Sequence, residues 1–151
     1  MAGSERTSTP AAALVDTNIL VYAFDHASPR KQRIASQLLI RGLEQDSVRI
    51  PHQAIVEFVA AVSRPRPAKG AILSFPDACE AAEEYLTLFQ ILYPNDDIVR
   101  LALRGAATYQ LSWFDAHLWA YAEYYGLSEL QSEDFTPGRT YGRVRIVNPF
   151  L

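Results

Sequence analysis

Short apolar or alternating runs are separated along this chain by longer stretches in which apolar residues recur every three or four positions. A short run bounded by polar residues is typical of a buried strand, and the three-to-four spacing is typical of an amphipathic helix. The first short run ends at a polar triplet that begins with Asp16. The runs that predict strands lie at residues 11–15, 48–50, 90–93, 127–130 and 143–147.

Proline and short polar capping residues mark where the predicted helices begin. Ser28 and Pro29 combine a cap with a first-turn proline, and Pro51 begins a periodic stretch that continues to Ser63. Residues 64–70 contain two prolines and a glycine and are predicted to form a loop. The predicted helices cover residues 29–45, 51–63, 75–88, 96–109 and 113–126, with a shorter helical turn at 19–22.

The alternation of strands with helices predicts an α/β fold in which helices cover both faces of a short, mostly parallel sheet, giving three layers. In such a sheet the loops that leave the carboxyl ends of the strands meet at one edge, where ligands bind. Asp16 and Asp134 follow predicted strands and should both lie at that edge. We expect residues 12–151 to form a single domain and residues 1–11 to form a flexible tail.

The chain of 151 residues, with 49% hydrophobic and 21% charged residues, has the size and balance of one globular domain. Its apolar runs are shorter than the roughly 20 residues that a membrane-spanning helix needs, and residues 1–10 lack the apolar centre of a secretory signal. We therefore expect a cytoplasmic protein without a membrane partner. The net charge of −3 argues against a uniformly basic nucleic-acid-binding surface but allows local basic clusters.

Four carboxylates have sequence surroundings that suggest a shared site: Asp16, Glu57, Asp115 and Asp134. Taken singly, Asp16 could cap the helix that follows it, and Asp134 could belong to an ordinary polar turn. Asp115 fits a capping box with Ser112, so structure and function explain it equally well. Glu57 is harder to explain by structure alone, because it lies within an apolar helical stretch, where buried carboxylates are rare unless paired or bound to metal.

Together the carboxylates supply the oxygen ligands that Mg²⁺ or Mn²⁺ prefers, whereas zinc would favour cysteine or histidine. Clustered carboxylates also repel one another and lose hydration, and a bound cation would offset that cost. Thr17, Ser112 and Ser132 each neighbour one of the acids and could orient it or a bound water. A role as helix caps or turn residues is an equally good interpretation of these three.

The motifs that contain these acids resemble those of PIN-domain nucleases, and within that family those of VapC-type toxins from bacterial toxin–antitoxin pairs. The first motif is the apolar run and polar triplet at residues 14–22, and the second is the Val-Glu-Phe segment at residues 56–58. The others lie at residues 112–122 and 130–135, and the tail at residues 141–150 also resembles the end of many such toxins. The resemblance extends over nearly the whole chain that follows the predicted tail.

This resemblance implies a PIN-like fold, a metal-dependent endoribonuclease activity, and a role as the toxin of a toxin–antitoxin pair. By the same resemblance Asp16, Glu57, Asp115 and Asp134 would form the catalytic site and hold Mg²⁺ or Mn²⁺ for the cleavage of RNA. Glu133 competes with its neighbour Asp134 as the fourth ligand. A cognate antitoxin protein and a homodimer are further implications of the resemblance.

Arginines are candidates for holding the phosphates of RNA, because the planar guanidinium suits bidentate phosphate contacts. Solvated surface charge is the alternative interpretation of each basic cluster. The candidate residues are Arg64, Arg66, Arg139 and Arg143.

Two other functions compete with the ribonuclease as interpretations of this sequence. A phosphoryl-transfer hydrolase on a similar sheet would need a second aspartate two residues after Asp16, where Asn18 stands, and a lysine near a late strand, which is missing from residues 143–147. A catalytically inactive PIN-like module that binds RNA or acts as a scaffold is the closer alternative. The presence of all four acids argues against that module, and titration with Mn²⁺ would distinguish it from an enzyme.

Overall fold

A six-stranded sheet with helices on both faces accounts for most of the described residues. The structure, a computed structural model, describes residues 11–151. The strands are β1 (Ala13–Val15), β2 (Val48–Pro51), β3 (Gln90–Leu92), β4 (Glu129–Gln131), β5 (Thr140–Tyr141) and β6 (Val144–Val147). The helices are α1 (Thr17–Tyr22), α2 (Pro29–Gln45), α3 (His52–Ser63), α4 (Phe75–Leu88), α5 (Asp96–Tyr109) and α6 (Trp113–Tyr124).

The strands follow the order β3-β2-β1-β4-β6-β5, so that β1 lies between β2 and β4 in the middle of the sheet. Neighbouring strands run parallel, except that β5 and β6 pair antiparallel. In β1, Leu14 lies opposite Arg49 on one side and Leu130 on the other. The mostly parallel α/β sheet predicted from the sequence is confirmed.

Successive side chains of β1 point to opposite faces of the sheet, and each face has its own core. Leu14 belongs to the core beneath α5 and α6, together with Leu130 and Ile98. Val15 belongs to the core on the other face, together with Phe58 of α3 and other residues of α1 to α4. The predicted three-layer arrangement follows from these two cores.

The packing of α5 against α6 depends on a glycine. Gly105 of α5 is buried, and a Cβ atom built there would clash with the ring of Trp119 on α6. The indole Nε1 of Trp119 donates a hydrogen bond to the Tyr141 carbonyl at 3.0 Å, which fixes the ring in place. The glycine thus allows the two helices to approach closely above the core.

The observed elements differ from the predicted ones in small ways. Helix α1 begins at Thr17, two residues earlier than predicted, because the Asp16 side chain caps it. Strand β5 is not predicted by the apolar pattern, since it is two residues long and depends on its pairing with β6. The predicted loop at residues 64–70 is folded into a tight turn, closed by an isolated bridge between Arg66 and Gly70.

The predicted flexible tail, residues 1–11, lies outside the described residues except for Ala11. Among residues 11–151, no helix combines the length and the apolar character that crossing a membrane requires.

Candidate active site

Asp16 lies at the carboxyl end of the central strand. Its Oδ1 accepts a hydrogen bond from the Thr17 amide at 2.6 Å, and its Oδ2 accepts one from the Ser132 hydroxyl at 2.6 Å. Val15 of β1 is in register with Gln131 of β4. Asp16 and Ser132, which follow these two strands, therefore lie side by side. Asp16 is only 3% exposed and Ser132 is fully buried. The carboxylate is therefore largely shielded from water, and its two hydrogen-bond donors, the Thr17 amide and the Ser132 hydroxyl, are neutral.

Glu57 reaches the same site from α3. Its Oε2 accepts a hydrogen bond from the Thr17 hydroxyl at 2.7 Å, and its Oε1 accepts one from the Gln53 side chain at 2.9 Å. The expectation that Glu57 is buried needs a correction, because the residue is only partly buried. The neighbouring Val56 and Ala60 are exposed, so this side of α3 borders solvent and Glu57 lies at the boundary.

Asp115 is in the first turn of α6, where its amide donates a hydrogen bond to the Ser112 hydroxyl at 3.2 Å. This bond is one half of the predicted capping box. The reciprocal bond, from the Ser112 amide to the Asp115 carboxylate, is absent from the hydrogen bonds of the described residues. The carboxylate instead lines a cavity that it shares with Asp134.

Asp134 follows β4 and is exposed to solvent. Its amide donates a hydrogen bond to the Ser132 hydroxyl at 3.1 Å, and its Oδ2 accepts one from the Asn18 side chain at 3.2 Å. Because the Ser132 hydroxyl also donates to Asp16, one buried serine links two of the acids. The predicted role of Ser132 as an orienting residue thus has a geometric basis.

Electrostatics indicate that the four acids are close enough to repel one another. Burial raises the pKa of Asp16 to about 7; the hydrogen bonds it accepts oppose this, and the charges of Asp134 and Glu57 add to it. Burial is also the main cause that raises the pKa of Asp115, and the same two charges contribute. Across residues 11–151, no basic side chain lies within ion-pair distance of any of the four.

The fit to a metal ion rests on the chemistry of these donors. Among the described residues, no group of three or more histidine, cysteine, aspartate or glutamate side chains forms a ready-made metal cage. The Oδ1 atom of Asn18, however, is buried and has no hydrogen-bond partner among the described residues. An unsatisfied amide oxygen beside several carboxylates is the kind of oxygen donor that suits a hard cation.

Sequence reasoning missed two residues that contact the acids, Asn18 and Gln53. A signal was present for each. Asn18 completes the polar triplet that begins at Asp16, and Gln53 lies one helical turn before Glu57, which is the spacing of side chains that meet on a helix.

Glu133 is directed away from the other acids. Its carboxylate pairs with the Lys31 ammonium at 2.8 Å and accepts a hydrogen bond from the Tyr22 hydroxyl at 2.6 Å. Asp134 is the residue whose charge acts on Asp16 and Asp115. Of the two competing candidates for the fourth position, the geometry therefore favours Asp134.

The four candidate RNA-binding arginines have different surroundings. Arg66 forms an ion pair with the buried Asp25 at 3.2 Å, and Arg143 pairs with Glu123 at 3.2 Å. Arg64 is exposed at the end of α3. Arg139 is exposed as well, and it lines the same cavity as Asp115 and Asp134.

Comparison with known proteins agrees with the fold and the order of the motifs. A family model described as PIN domain matches residues 13–141. A search of curated proteins found no match.

Several solved structures are similar to this chain. A toxin-antitoxin complex from Klebsiella pneumoniae is 23% identical, with a TM-score of 0.64, and the match covers 91% of this chain and 98% of that one. FitAcB from Neisseria gonorrhoeae is 20% identical, with a TM-score of 0.66 and coverage of 91% and 98%. VapC20 from Mycobacterium tuberculosis, a Sarcin-Ricin loop cleaving toxin, is 16% identical, with a TM-score of 0.63 and coverage of 79% and 87%. At these identities the likeness is one of fold.

Proposed function

The chain belongs to the PIN domain family, and from this premise we propose that it is a metal-dependent endoribonuclease and the toxin of a toxin–antitoxin pair. The observation that carries the proposal is the convergence of four acids, without a basic partner among the described residues, at the carboxyl edge of the sheet. Such a cluster destabilises a fold unless a cation compensates it, so it is typical of a functional site.

Asp16, Glu57, Asp115 and Asp134 would hold Mg²⁺ or Mn²⁺, because carboxylate oxygens are the ligands that these hard cations prefer. Such an ion, once bound, supplies activation of a water molecule and neutralisation of charge at the scissile phosphate. The buried position of Asp16 would anchor the site, while the exposed Asp134 leaves it open on the side from which RNA enters.

The neutral donors around the acids would orient the ligands without cancelling their charge. The Thr17 hydroxyl holds one oxygen of Glu57, and the Ser132 hydroxyl holds one oxygen of Asp16. Each of these carboxylates accepts two hydrogen bonds, one on each oxygen, and keeps further lone pairs for a metal ion. Outer residues of this kind support the geometry and affinity of metal sites in general.

An antitoxin would cover an apolar groove beside the acids. A cavity of about 400 Å³ is lined by Val21, Ala61 and Ile72, and it also includes Asp134 and Arg66. Apolar side chains next to charged ones suit a peptide with apolar anchors and a basic residue that reaches the acids. The toxin-antitoxin complex among the similar structures supports such a partner. A pair of this kind would act in the cytoplasm, with residues 12–151 as the nuclease domain.

A second copy of the chain is the partner that we propose for the exposed apolar residues next to the acids. Val56 precedes Glu57 and is 57% exposed, and Phe114 precedes Asp115 and is 67% exposed. A large apolar side chain exposed beside an acid of the site suggests that this part of the surface is covered in an assembly. A homodimer through this surface would place the two acid clusters near each other.

The decisive experiment is cleavage of single-stranded RNA by the purified chain. We expect cleavage with Mg²⁺ and none with EDTA, and we expect Asp16→Asn and Asp115→Asn to lower the rate by more than about 100-fold, because each removes a metal ligand. Asp77→Asn, an exposed aspartate in the first turn of α4, is the matched control and should retain wild-type activity. Wild-type activity in either site variant would refute the assignment.

The inactive RNA-binding or scaffold module remains the second candidate, and the lack of a ready-made metal cage among the described residues is the observation in its favour. Calorimetric titration with Mn²⁺ separates the two functions. An enzyme should bind Mn²⁺ and lose that binding in Asp16→Asn. A chain that binds RNA but neither Mn²⁺ nor Mg²⁺ would be the inactive module.

A further inference from the structure

A polar cavity beside the acids contains one arginine. This cavity, with a volume of about 270 Å³, lies between the connection from α5 to α6 and the loop that joins β4 to β5. Its polar lining residues are Gln110, Ser112, Asp115, Asp134, Thr136 and Arg139. Arg139 therefore shares a cavity with two of the proposed metal ligands.

The charge of Arg139 is not neutralised by a carboxylate, unlike the charges of the two arginines that follow it. Arg143 pairs with Glu123 at 3.2 Å, and Arg145 lies 3.7 Å from a glutamate of β4. Within the part of the chain that the structure describes, no acidic side chain lies within ion-pair distance of Arg139. Its guanidinium lies instead over the ring of Tyr141, 4.7 Å from the ring centroid.

The surroundings hold this guanidinium in place. Tyr141 is buried, packs edge-on against Tyr109 at 5.4 Å, and accepts the hydrogen bond from the Trp119 indole. The Arg139 carbonyl accepts a hydrogen bond from the Ile146 amide at 2.9 Å, which ties the loop to β6. The contact with a fixed ring restricts the positions of the guanidinium before a ligand arrives, which lowers the entropic cost of binding.

We propose that this cavity is a phosphate subsite for single-stranded RNA, in which Arg139 binds the phosphodiester next to the one that is cleaved at the acids. This inference rests on the proposed ribonuclease function. A phosphodiester fits because a guanidinium binds phosphate oxygens in a bidentate manner. The cavity is smaller than the roughly 300–1,000 Å³ of pockets for drug-sized ligands, so it suits one nucleotide of a longer strand.

The neighbouring carboxylates favour RNA over an acidic peptide as the ligand. Asp115 and Asp134 repel any anion that enters the cavity while they are uncompensated. A phosphodiester strand would place one phosphate at the acids, where a bound cation would compensate their charge, and the next phosphate at Arg139. The carboxylates of an acidic peptide lack this regular spacing and would meet the two aspartates directly.

The test measures RNA binding by the full chain with Ca²⁺ in place of Mg²⁺, because Ca²⁺ also takes oxygen ligands and so compensates the acids. Gel electrophoresis checks that the RNA stays intact during the titration. We would titrate fluorescein-labelled single-stranded RNA of mixed sequence with the full chain in Ca²⁺, at several salt concentrations, and follow anisotropy. Arg139→Ala should weaken binding about 10-fold and reduce the salt slope by about 0.7, which corresponds to the loss of one phosphate contact on a single strand. Arg139→Lys should keep the salt slope and recover only part of the affinity, because it lacks the planar fork.

Arg33→Ala is the matched control. Arg33 is an exposed arginine of α2, on the opposite face of the sheet from α5 and α6, and it has no ion-pair partner within residues 11–151. Its loss should change the affinity by less than about twofold. Circular dichroism checks the fold of each variant, and Arg139→Gln replaces Arg139→Ala if the alanine variant does not fold.

The outcomes separate this subsite from the proposed function. If the wild-type chain cleaves the same RNA but Arg139→Ala binds as its parent does, or if Arg33→Ala weakens binding equally, the subsite alone is refuted. If the wild type neither cleaves RNA in Mg²⁺ nor binds it in Ca²⁺, the ribonuclease and the subsite both fail. If Arg139→Ala loses affinity for a labelled polyglutamate peptide and not for RNA, the cavity is a peptide site and the subsite is refuted.

Discussion

The carboxyl group of Asp16 is 3% exposed and has no basic partner among the described residues, so its charged form is disfavoured in the metal-free protein. Its pKa is raised from 3.8 to about 7 in the folded chain. Between these two values the folded chain binds more protons than the unfolded chain does. The free energy of unfolding must therefore fall as the pH rises through this window.

Asp16→Asn should remove this pH dependence and stabilise the metal-free protein at pH 8. The asparagine can still accept the hydrogen bond from the Thr17 amide and can donate one to the Ser132 hydroxyl, so the geometry is preserved. Urea unfolding in EDTA measures the effect. From pH 5 to pH 8, the wild type should lose roughly 2–3 kcal/mol more unfolding free energy than the variant does.

Asp77→Asn, at an exposed position of α4, serves as the control. Its free energy of unfolding should equal that of the wild type at both pH values. Equal pH dependence in the wild type and in Asp16→Asn would mean that Asp16 titrates as an ordinary surface carboxylate. Added Mn²⁺ should raise the stability of the wild type far more than that of the variant, because a ligand that binds only the folded state stabilises it.

The sequence predicts the site residues that belong to local motifs and leaves open those that depend on distant contacts. Ser132 lies two residues before Asp134 in the chain, so its position beside that acid is readable from the motif. The choice between Glu133 and Asp134 is not readable, because the two acids are adjacent on one turn. Lys31 and Tyr22, about a hundred positions earlier in the chain, bind Glu133 and thereby direct it away from the site.

Helices α5 and α6 offer a case in which packing and helix propensity make opposite predictions. Replacing a glycine by alanine in a helix interior stabilises it by about 1 kcal/mol through propensity alone. At Gly105 the added methyl group would clash with the ring of Trp119, and the hydrogen bond from that ring to the Tyr141 carbonyl limits its movement. Overpacking a tight core costs typically about 1–3 kcal/mol, so the clash should prevail.

We therefore expect Gly105→Ala to lower the free energy of unfolding by about 1–2 kcal/mol, as measured by chemical denaturation. Thr108→Ala, an exposed position on the same helix, is the control and should change stability by less than about 0.5 kcal/mol. A Gly105→Ala protein as stable as the wild type, or more stable, would show that α5 can move away from α6 at little cost.

The starts of α4, α5 and α6 are predicted well from the sequence, because each is decided by a capping residue next to the helix. The side chains of Ser74, Asn95 and Ser112 each accept a hydrogen bond from an amide in the first turn, as their positions indicate. Strand β5 is not predicted, because it depends on a contact with another strand and not on its own residues. Its two residues carry no pattern of their own, and pairing with β6 across the turn at Gly142 defines the strand.

The convergence of the acids is predictable because parallel strands bring their carboxyl ends to one edge of the sheet. The register of β1 and β4 brings Asp16 against Ser132, and α3 and α6 contribute Glu57 and Asp115 from either face. The burial of each acid is not predictable in the same way. Glu57 remains partly exposed because Val56 and the side of α3 around it face outwards.

The exposed side of α3 around Val56 is part of the surface through which we propose that two copies of the chain associate. Val56 is 57% exposed although it lies next to a residue of the site. In a homodimer with two-fold symmetry, the same surface occurs on both copies, so a single charge introduced there is buried twice. Burying an unpaired charge in an interface costs several kcal/mol, which is enough to dissociate a dimer of moderate affinity.

Val56→Glu should therefore convert a dimer of two 16.9 kDa chains into the monomer, as measured by sedimentation velocity at micromolar concentration. Leu103→Glu is the matched control, because Leu103 of α5 is 55% exposed and does not adjoin an acid of the site. It should leave the mass unchanged. A wild-type chain that sediments as a monomer at every concentration, or a Val56→Glu variant that remains dimeric, would show that this surface is not the homodimer interface. The residue would then be free to contact another partner, such as the antitoxin.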